Sequence, residues 1–134
     1  MPPTTQPRVL VVDDNHDNAN LIQQYLQAVF GYPITVAYDG EEALRLYESE
    51  HPDIILLDVM MPGRDGWDVC RTIKDDPQLG SQVRIVMVTG FDDIGSRRRA
   101  LQNGADDFLE KPFKMAGLAA TIRRNVAALI SNAA

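Results

Sequence analysis

Apolar side chains fall along this chain in two rhythms that take turns. Short apolar runs recur at Arg8 to Val12 (RVLVV), Ile34 to Tyr38 (ITVAY), Asp53 to Leu57 (DIILL), Val83 to Val88 (VRIVMV) and Asp106 to Glu110 (DDFLE). Between them the spacing becomes helical: Ala19, Ile22, Leu26 and Val29, then Ala43, Leu44 and Tyr47, and near the end Met115, Leu118, Ile122, Val126 and Leu129. Runs that are continuously apolar suit parallel strands covered on both faces, whereas strict alternation would suit a half-exposed sheet.

The punctuation agrees with that division. Gly31 accepts positive φ and ends the first helix. Asp39 can cap the second, with Glu42 three residues on completing a capping-box pattern. A turn at Pro62 and Gly63 precedes a helix predicted over Gly66 to Lys74, DDPQLGSQ at 75–82 is turn chemistry, and a helix from about Asp93 to Gln102 ends at Asn103 and Gly104. Five strands alternating with five helices predict an α/β fold, a doubly wound (βα)5 sandwich around a five-stranded parallel sheet, because crossover helices are the short way to join parallel neighbours.

A length of 134 residues predicts one domain, over 8–131, after a lead-in at 1–7 that carries three prolines and no periodicity. Nineteen acidic against thirteen basic residues leave a net charge of -6, which opposes binding to nucleic acid or to an anionic membrane surface. Cys70 is the only cysteine, the opening MPPTTQPR has no apolar signal core, and no apolar run approaches the roughly 20 residues that span a bilayer. The expectation is a soluble cytoplasmic protein.

Chemistry gathers where the strands end. Asp13 and Asp14 follow the first run, Asp58 the third, Thr89 the fourth and Lys111 the fifth. If the strands are parallel, one crevice receives three carboxylates, a hydroxyl and an ammonium group. Two charges about 4 Å apart repel by about 4 kcal/mol at an effective dielectric near 20, so the carboxylates need a cation. Hard oxygen donors suit Mg²⁺, and Lys111 adds a mobile point charge. Each residue alone has an ordinary reading: Asp13 or Asp14 as a helix N-cap, Asp58 as a turn former, Thr89 as a strand-end hydroxyl, Lys111 as a solvated lysine. Together they occupy the ends of four of the five predicted strands.

VLVVDDN at Val9 to Asn15, DIILLDVMMPGRDGW at Asp53 to Trp67, VMVTG at Val86 to Gly90 and GADDFLEKPF at Gly104 to Phe113 resemble the receiver domain of two-component response regulators, from about Arg8 to Ile130. That resemblance implies the flavodoxin-like strand order 2-1-3-4-5, with the site at the switch point between strands one and three. It implies that Asp58 is a phosphoacceptor, attacking the phosphorus of a phosphohistidine on a sensor histidine kinase or phosphotransfer protein. It implies a Mg²⁺ site, tolerant of Mn²⁺, made by Asp14 directly, Asp13 partly through water, Asp58, and the backbone carbonyl of Met60. Lys111 and Thr89 would hold the phosphoryl oxygens, and the Lys111–Pro112 peptide would be cis. Thr89 and Phe108 would form the switch, although Phe108 taken alone reads as an ordinary core residue of the fifth strand.

The function so implied is phosphorelay signalling by a phosphoacceptor domain, which assists its own phosphorylation and slow dephosphorylation but is not otherwise an enzyme. Its output face would be the fourth helix, fifth strand and last helix, with Arg97 to Arg99, Asp107, Arg123 and Arg124 on it. The partner there would be a downstream protein or an attached output domain, and the chain itself is expected to carry no output domain. Met60 and Phe91 are apolar where rapidly hydrolysing receivers tend to be polar, which predicts a long-lived acyl phosphate. Gly117 stands near the position where a transcription-factor subgroup dimerises through an acid. Two alternatives stand beside this reading: a constitutive receiver-like interaction module that is never phosphorylated, and a flavodoxin-like cofactor-binding protein. The second would need a Gly/Ser/Thr-rich phosphate loop where this chain has DDNHDNAN. His16, His51 and Cys70 suggest no metal cluster, and Trp67 reads as packing with a use as a reporter.

Overall fold

Strands that are apolar throughout can be buried only if helices cover both faces of their sheet, and this is the arrangement the chain adopts. The computed structural model describes residues 6–61, 63, 65–90, 98–99 and 102–133. Its strands are β1 (Val9–Val12), β2 (Ile34–Ala37), β3 (Ile54–Asp58), β4 (Arg84–Gly90) and β5 (Asp107–Lys111), all parallel, in the order β2-β1-β3-β4-β5. The helices are α1 (His16–Phe30), α2 (Gly40–Glu50), α3 (Gly66–Lys74) and the C-terminal α4 (Met115–Ala133), with a 3₁₀ turn at Gly80–Gln82. The helix predicted from about Asp93 lies mostly outside the described residues, of which Arg98, Arg99 and Gln102 are helical.

Successive strand residues point to opposite faces, so each strand divides its apolar set between two cores. Leu10, Val12, Ile55, Leu57, Ile85 and Met87 pack with Tyr47, Val69, Cys70 and Ile73 of α2 and α3. Val9, Val11, Ile54, Leu56 and Val86 pack with Ile22, Leu26, Leu118 and Ile122 of α1 and α4. Every residue of β1 and β3 is buried. Each such aliphatic side chain is worth roughly 1.5–3 kcal/mol relative to exposure. Burial also pushes the Cys70 thiol up to about 12, leaving it a packed, unreactive group.

Two of the local expectations change in detail. Glu42 donates its amide to Asp39 Oδ1 at 2.8 Å, but its own carboxylate accepts from the Tyr38 amide, one residue earlier than a capping box requires. Val29, placed by periodicity on the buried side of α1, is 41% exposed because it lies in the last turn of that helix. Gly31 has φ 72° and its amide closes the helix on the Gln27 carbonyl, as a glycine C-cap should.

Candidate functional site

Strands β3, β4 and β5 each run one or two residues further than their apolar runs. The ladder pairs Asp58 with Val88, Thr89 with Glu110, and Gly90 with Lys111, so three of the predicted site residues belong to the sheet and are held by it. The Lys111–Pro112 peptide is cis.

The acidic pair after β1 is not used for capping. Asn15 caps α1, its side chain accepting from the Asn18 amide at 3.0 Å, while Asp13 Oδ1 accepts from the Asn15 amide at 2.9 Å. Asp14 is exposed and Asp13 buried. Asp13, Asp14 and Asp58 each offer a carboxylate oxygen, and those atoms all lie within 4.8 Å of one another. Mutual repulsion at that distance is about 3 kcal/mol or more per pair at an effective dielectric near 20.

Among the described residues, one ammonium group opposes this crowding: Lys111 Nζ stands 3.2 Å from Asp58 Oδ2. Asp58 Oδ1 accepts from the Met60 amide at 3.1 Å. Burial pushes the Asp58 carboxyl above the usual carboxylate range, Lys111 pulls it back, and the charge of Asp13 pushes it up again. Thr89 is buried, and its Oγ1 has no hydrogen-bond partner among the described residues. A buried hydroxyl left unpaired costs roughly 1–3 kcal/mol, which marks a place where an acceptor belongs.

The oxygens of Asp13, Asp14 and Asp58 are the hard donors a Mg²⁺ ion takes, and a donor set bearing three negative charges against one ammonium fits a divalent cation. Met60 lies beside this cluster with its side chain 75% exposed, and Phe91 lies outside the described residues. Phe108 is half-buried on β5, pairs with Met87 across the ladder and packs on the core under α2 and α3. Of the expected output residues, Arg97 is outside the described set, and Arg124 is spent on a two-point ion pair with Asp107 at 2.7 and 3.1 Å.

Sequence reasoning expected a crevice at the carboxylates but missed its apolar wall. A cavity of about 590 Å³ reaches Asp13, Asp58 and Lys111 and is walled by Leu21, Ile22, Phe113 and Met115. Leu21 is 53% exposed, and a leucine adjacent to the buried Ile22 on an amphipathic helix was the available signal. At the start of α1, the His16 and Tyr38 rings stack with centroids 3.7 Å apart.

Comparison with known proteins follows the same lines. The family model of the response regulator receiver domain matches residues 9–123. The response regulator PleD of Caulobacter vibrioides is 46% identical over 116 residues, which are 87% of this chain and 25% of PleD, so the chain spans about a quarter of that curated relative. Among solved structures, the signal receiver domain of a signal transduction histidine kinase from Syntrophus aciditrophicus superposes with a TM-score of 0.83 at 32% identity, covering 92% of each chain. Chemotaxis protein CheY4 of Vibrio cholerae gives a TM-score of 0.83 at 28% identity, over 90% of this chain and 98% of that one.

Proposed function

Because the chain belongs to the response regulator receiver domain family, whose place is in two-component signalling, we propose that residues 8–131 form a phosphoacceptor unit in which Asp58 takes a phosphoryl group from a histidine kinase or phosphotransfer protein. The crowding of three carboxylates against a single ammonium among the described residues carries the reading, because a polar cluster so unbalanced is a poor structural device and a good receptor for a cation and a phosphoryl group.

The residues have distinct tasks. An Asp58 carboxylate oxygen attacks phosphorus, the bond to the donor's imidazole nitrogen breaks, and the nitrogen keeps the electron pair. Lys111, already at Asp58 Oδ2, follows the transferred oxygens as a point charge. The Thr89 hydroxyl donates to one of them and so gains the acceptor it lacks. Asp13, Asp14, Asp58 and the Met60 carbonyl would hold Mg²⁺, or Mn²⁺ in its place, and when bound the ion supplies positive charge to the phosphoryl oxygens. Rigid sheet positions for Asp58, Thr89 and Lys111 keep the reorganisation small.

Phosphorylation adds about two negative charges, which bias a pre-existing equilibrium in which the Thr89 side moves in and Phe108 follows. The read-out is a protein partner or an attached output domain at the β5 and α4 face, and the setting is cytoplasmic; no helix among the described residues is long and apolar enough to cross a membrane. Acetyl phosphate and Mg²⁺ followed by intact mass provide the test, with Asp58→Asn and an EDTA sample alongside. One added phosphoryl group, absent from both controls, is the expected result. No addition under any condition would replace this reading with the constitutive interaction module.

A further inference from the structure

Helix α3 is fixed at its start and along its length to parts of the molecule that the phosphoryl chemistry treats as separate. At its start, the Gly66 amide donates to the Val59 carbonyl at 3.2 Å, and a Cβ on Gly66 would run into the carbonyl oxygen of Asp58. The first turn of α3 therefore rests directly on the backbone of the phosphoacceptor. Along the same helix, Arg71 donates from Nε and Nη2 to Asn103 Oδ1 at 3.1 and 2.7 Å, and the Cys70 thiol donates to the Asn103 carbonyl at 3.4 Å. Asn103 is buried and donates its own amide group to the Arg99 carbonyl at 2.8 Å. Arg99 in turn holds its guanidinium carbon 4.9 Å from the centre of the Trp67 ring, in the first turn of α3.

Together with the proposed phosphorylation of Asp58, on which it rests, this geometry leads us to a second route of coupling. We propose that α3 links Asp58 to Arg99 and Asn103 independently of Thr89 and Phe108, with Asn103 as a fixed clamp and the Arg99–Trp67 stack as a contact that changes with the state of Asp58. The two joints differ in strength, which is why their roles differ. The Asn103 side chain is buried with its oxygen and its nitrogen both engaged, so it holds one geometry. Arg99 is exposed and meets the buried Trp67 ring only through its guanidinium face, a weak attraction that slides without breaking any buried hydrogen bond. An Arg stacked on a Trp is often only surface packing; a joint differs from packing in responding to the distant event.

Trp67 is the only tryptophan in the chain, so emission reports the surroundings of this one ring, and the Arg99 variants isolate the share due to this contact. Emission is recorded on the full chain during phosphorylation with acetyl phosphate and Mg²⁺, and intact mass gives the phosphorylated fraction of each sample. The expected result is an emission change that tracks that fraction. At equal phosphorylated fraction, Arg99→Gln should keep less than half of the change and Arg99→Lys most of it. Arg71→Gln, an exposed position that loosens the clamp, should also keep less than half, with far-UV circular dichroism unchanged. Added mass with silent emission would overturn the second route and leave the phosphoacceptor reading standing. A full-sized change in both Arg99→Gln and Arg71→Gln would overturn it as well, since the signal would then be local to the Asp58 loop. Absence of added mass would remove the phosphoacceptor reading and this route with it.

Discussion

The two ends of the sheet treat polar groups in opposite ways. At the amino ends of β4 and β5, Lys74 donates to the Val83 and Gly80 carbonyls at 2.6 and 3.2 Å and pairs with Asp106 at 2.7 Å. Asp106 also accepts from the Ile85 amide at 2.8 Å. Arg84 donates to Asn125 Oδ1 at 2.8 Å, Asn125 donates to Asp107 and to the Thr121 carbonyl, and Arg124 grips Asp107 at two points. Three cations there meet two acids, and each named group has a partner. At the carboxyl ends, among the described residues, three acids meet one cation, and the buried Thr89 hydroxyl has no hydrogen-bond partner. A polar cluster that is satisfied orients the fold; one that is left short of partners is kept for something that arrives.

The sharpest way to break that contrast is Asp58→Asn. Under the proposed chemistry it removes phosphoryl gain from acetyl phosphate outright, read by intact mass. In EDTA it should also stabilise the fold by about 1 kcal/mol or more, because one of three crowded carboxylates becomes neutral, while Lys111, its side chain 38% exposed, turns to solvent. Urea unfolding measures this. A variant less stable than the parent without metal would mean that the carboxylates are not in conflict.

At the other end the sign reverses. Asp107→Asn should destabilise by about 1–2 kcal/mol, the scale of hydrogen bonds to a charged group, and leave phosphoryl gain unchanged. Burial pushes the Asp107 carboxyl up, but the hydrogen bonds from Arg124, the Phe108 amide and Asn125 outweigh it and hold the group below its ordinary value. A lowered carboxyl stabilises the fold fully above its unfolded value, near 3.9, and loses that contribution as pH falls through its folded value. Between pH 5 and pH 3 the urea midpoint of the parent should therefore drop further than that of Asp107→Asn. Parallel curves would remove Asp107 from the set of structural charges.

How much of this was readable in advance depends on sequence distance. Strand cores were legible because Ile54 to Leu57 and Ile85 to Val88 are apolar without interruption, and Asp13, Asp14, Asp58, Thr89 and Lys111 were legible because each follows such a run. Strand ends were not, since Asp58, Thr89 and Lys111 join the ladder through backbone pairing that has no side-chain signature. Local capping rules could not choose among Asp13, Asp14 and Asn15, because Asp and Asn both cap helices; the choice of Asn15 is what leaves both acids available. The amino-end network and the Asn103 clamp were invisible. Arg84 with Asn125 and Arg71 with Asn103 are 41 and 32 residues apart, and only the crossover topology brings them together.

Thr89→Val gives the smallest effect and the most direct comparison of the two ends. The substitution keeps the branched shape and deletes only the hydroxyl, which is buried with no partner among the described residues. Removing an unsatisfied buried polar group relieves its desolvation, so the variant should be more stable than the parent by about 0.5–1 kcal/mol in metal-free solution. The same change should weaken binding of beryllofluoride with Mg²⁺ by about tenfold, equivalent to about 1.4 kcal/mol, because the hydroxyl is to be used only when a phosphoryl-like oxygen is present. Both shifts are small, and their opposite signs are the informative part. A variant that lost stability and affinity together would show that Thr89 already serves the resting fold, and the carboxyl end would then differ from the amino end in charge alone.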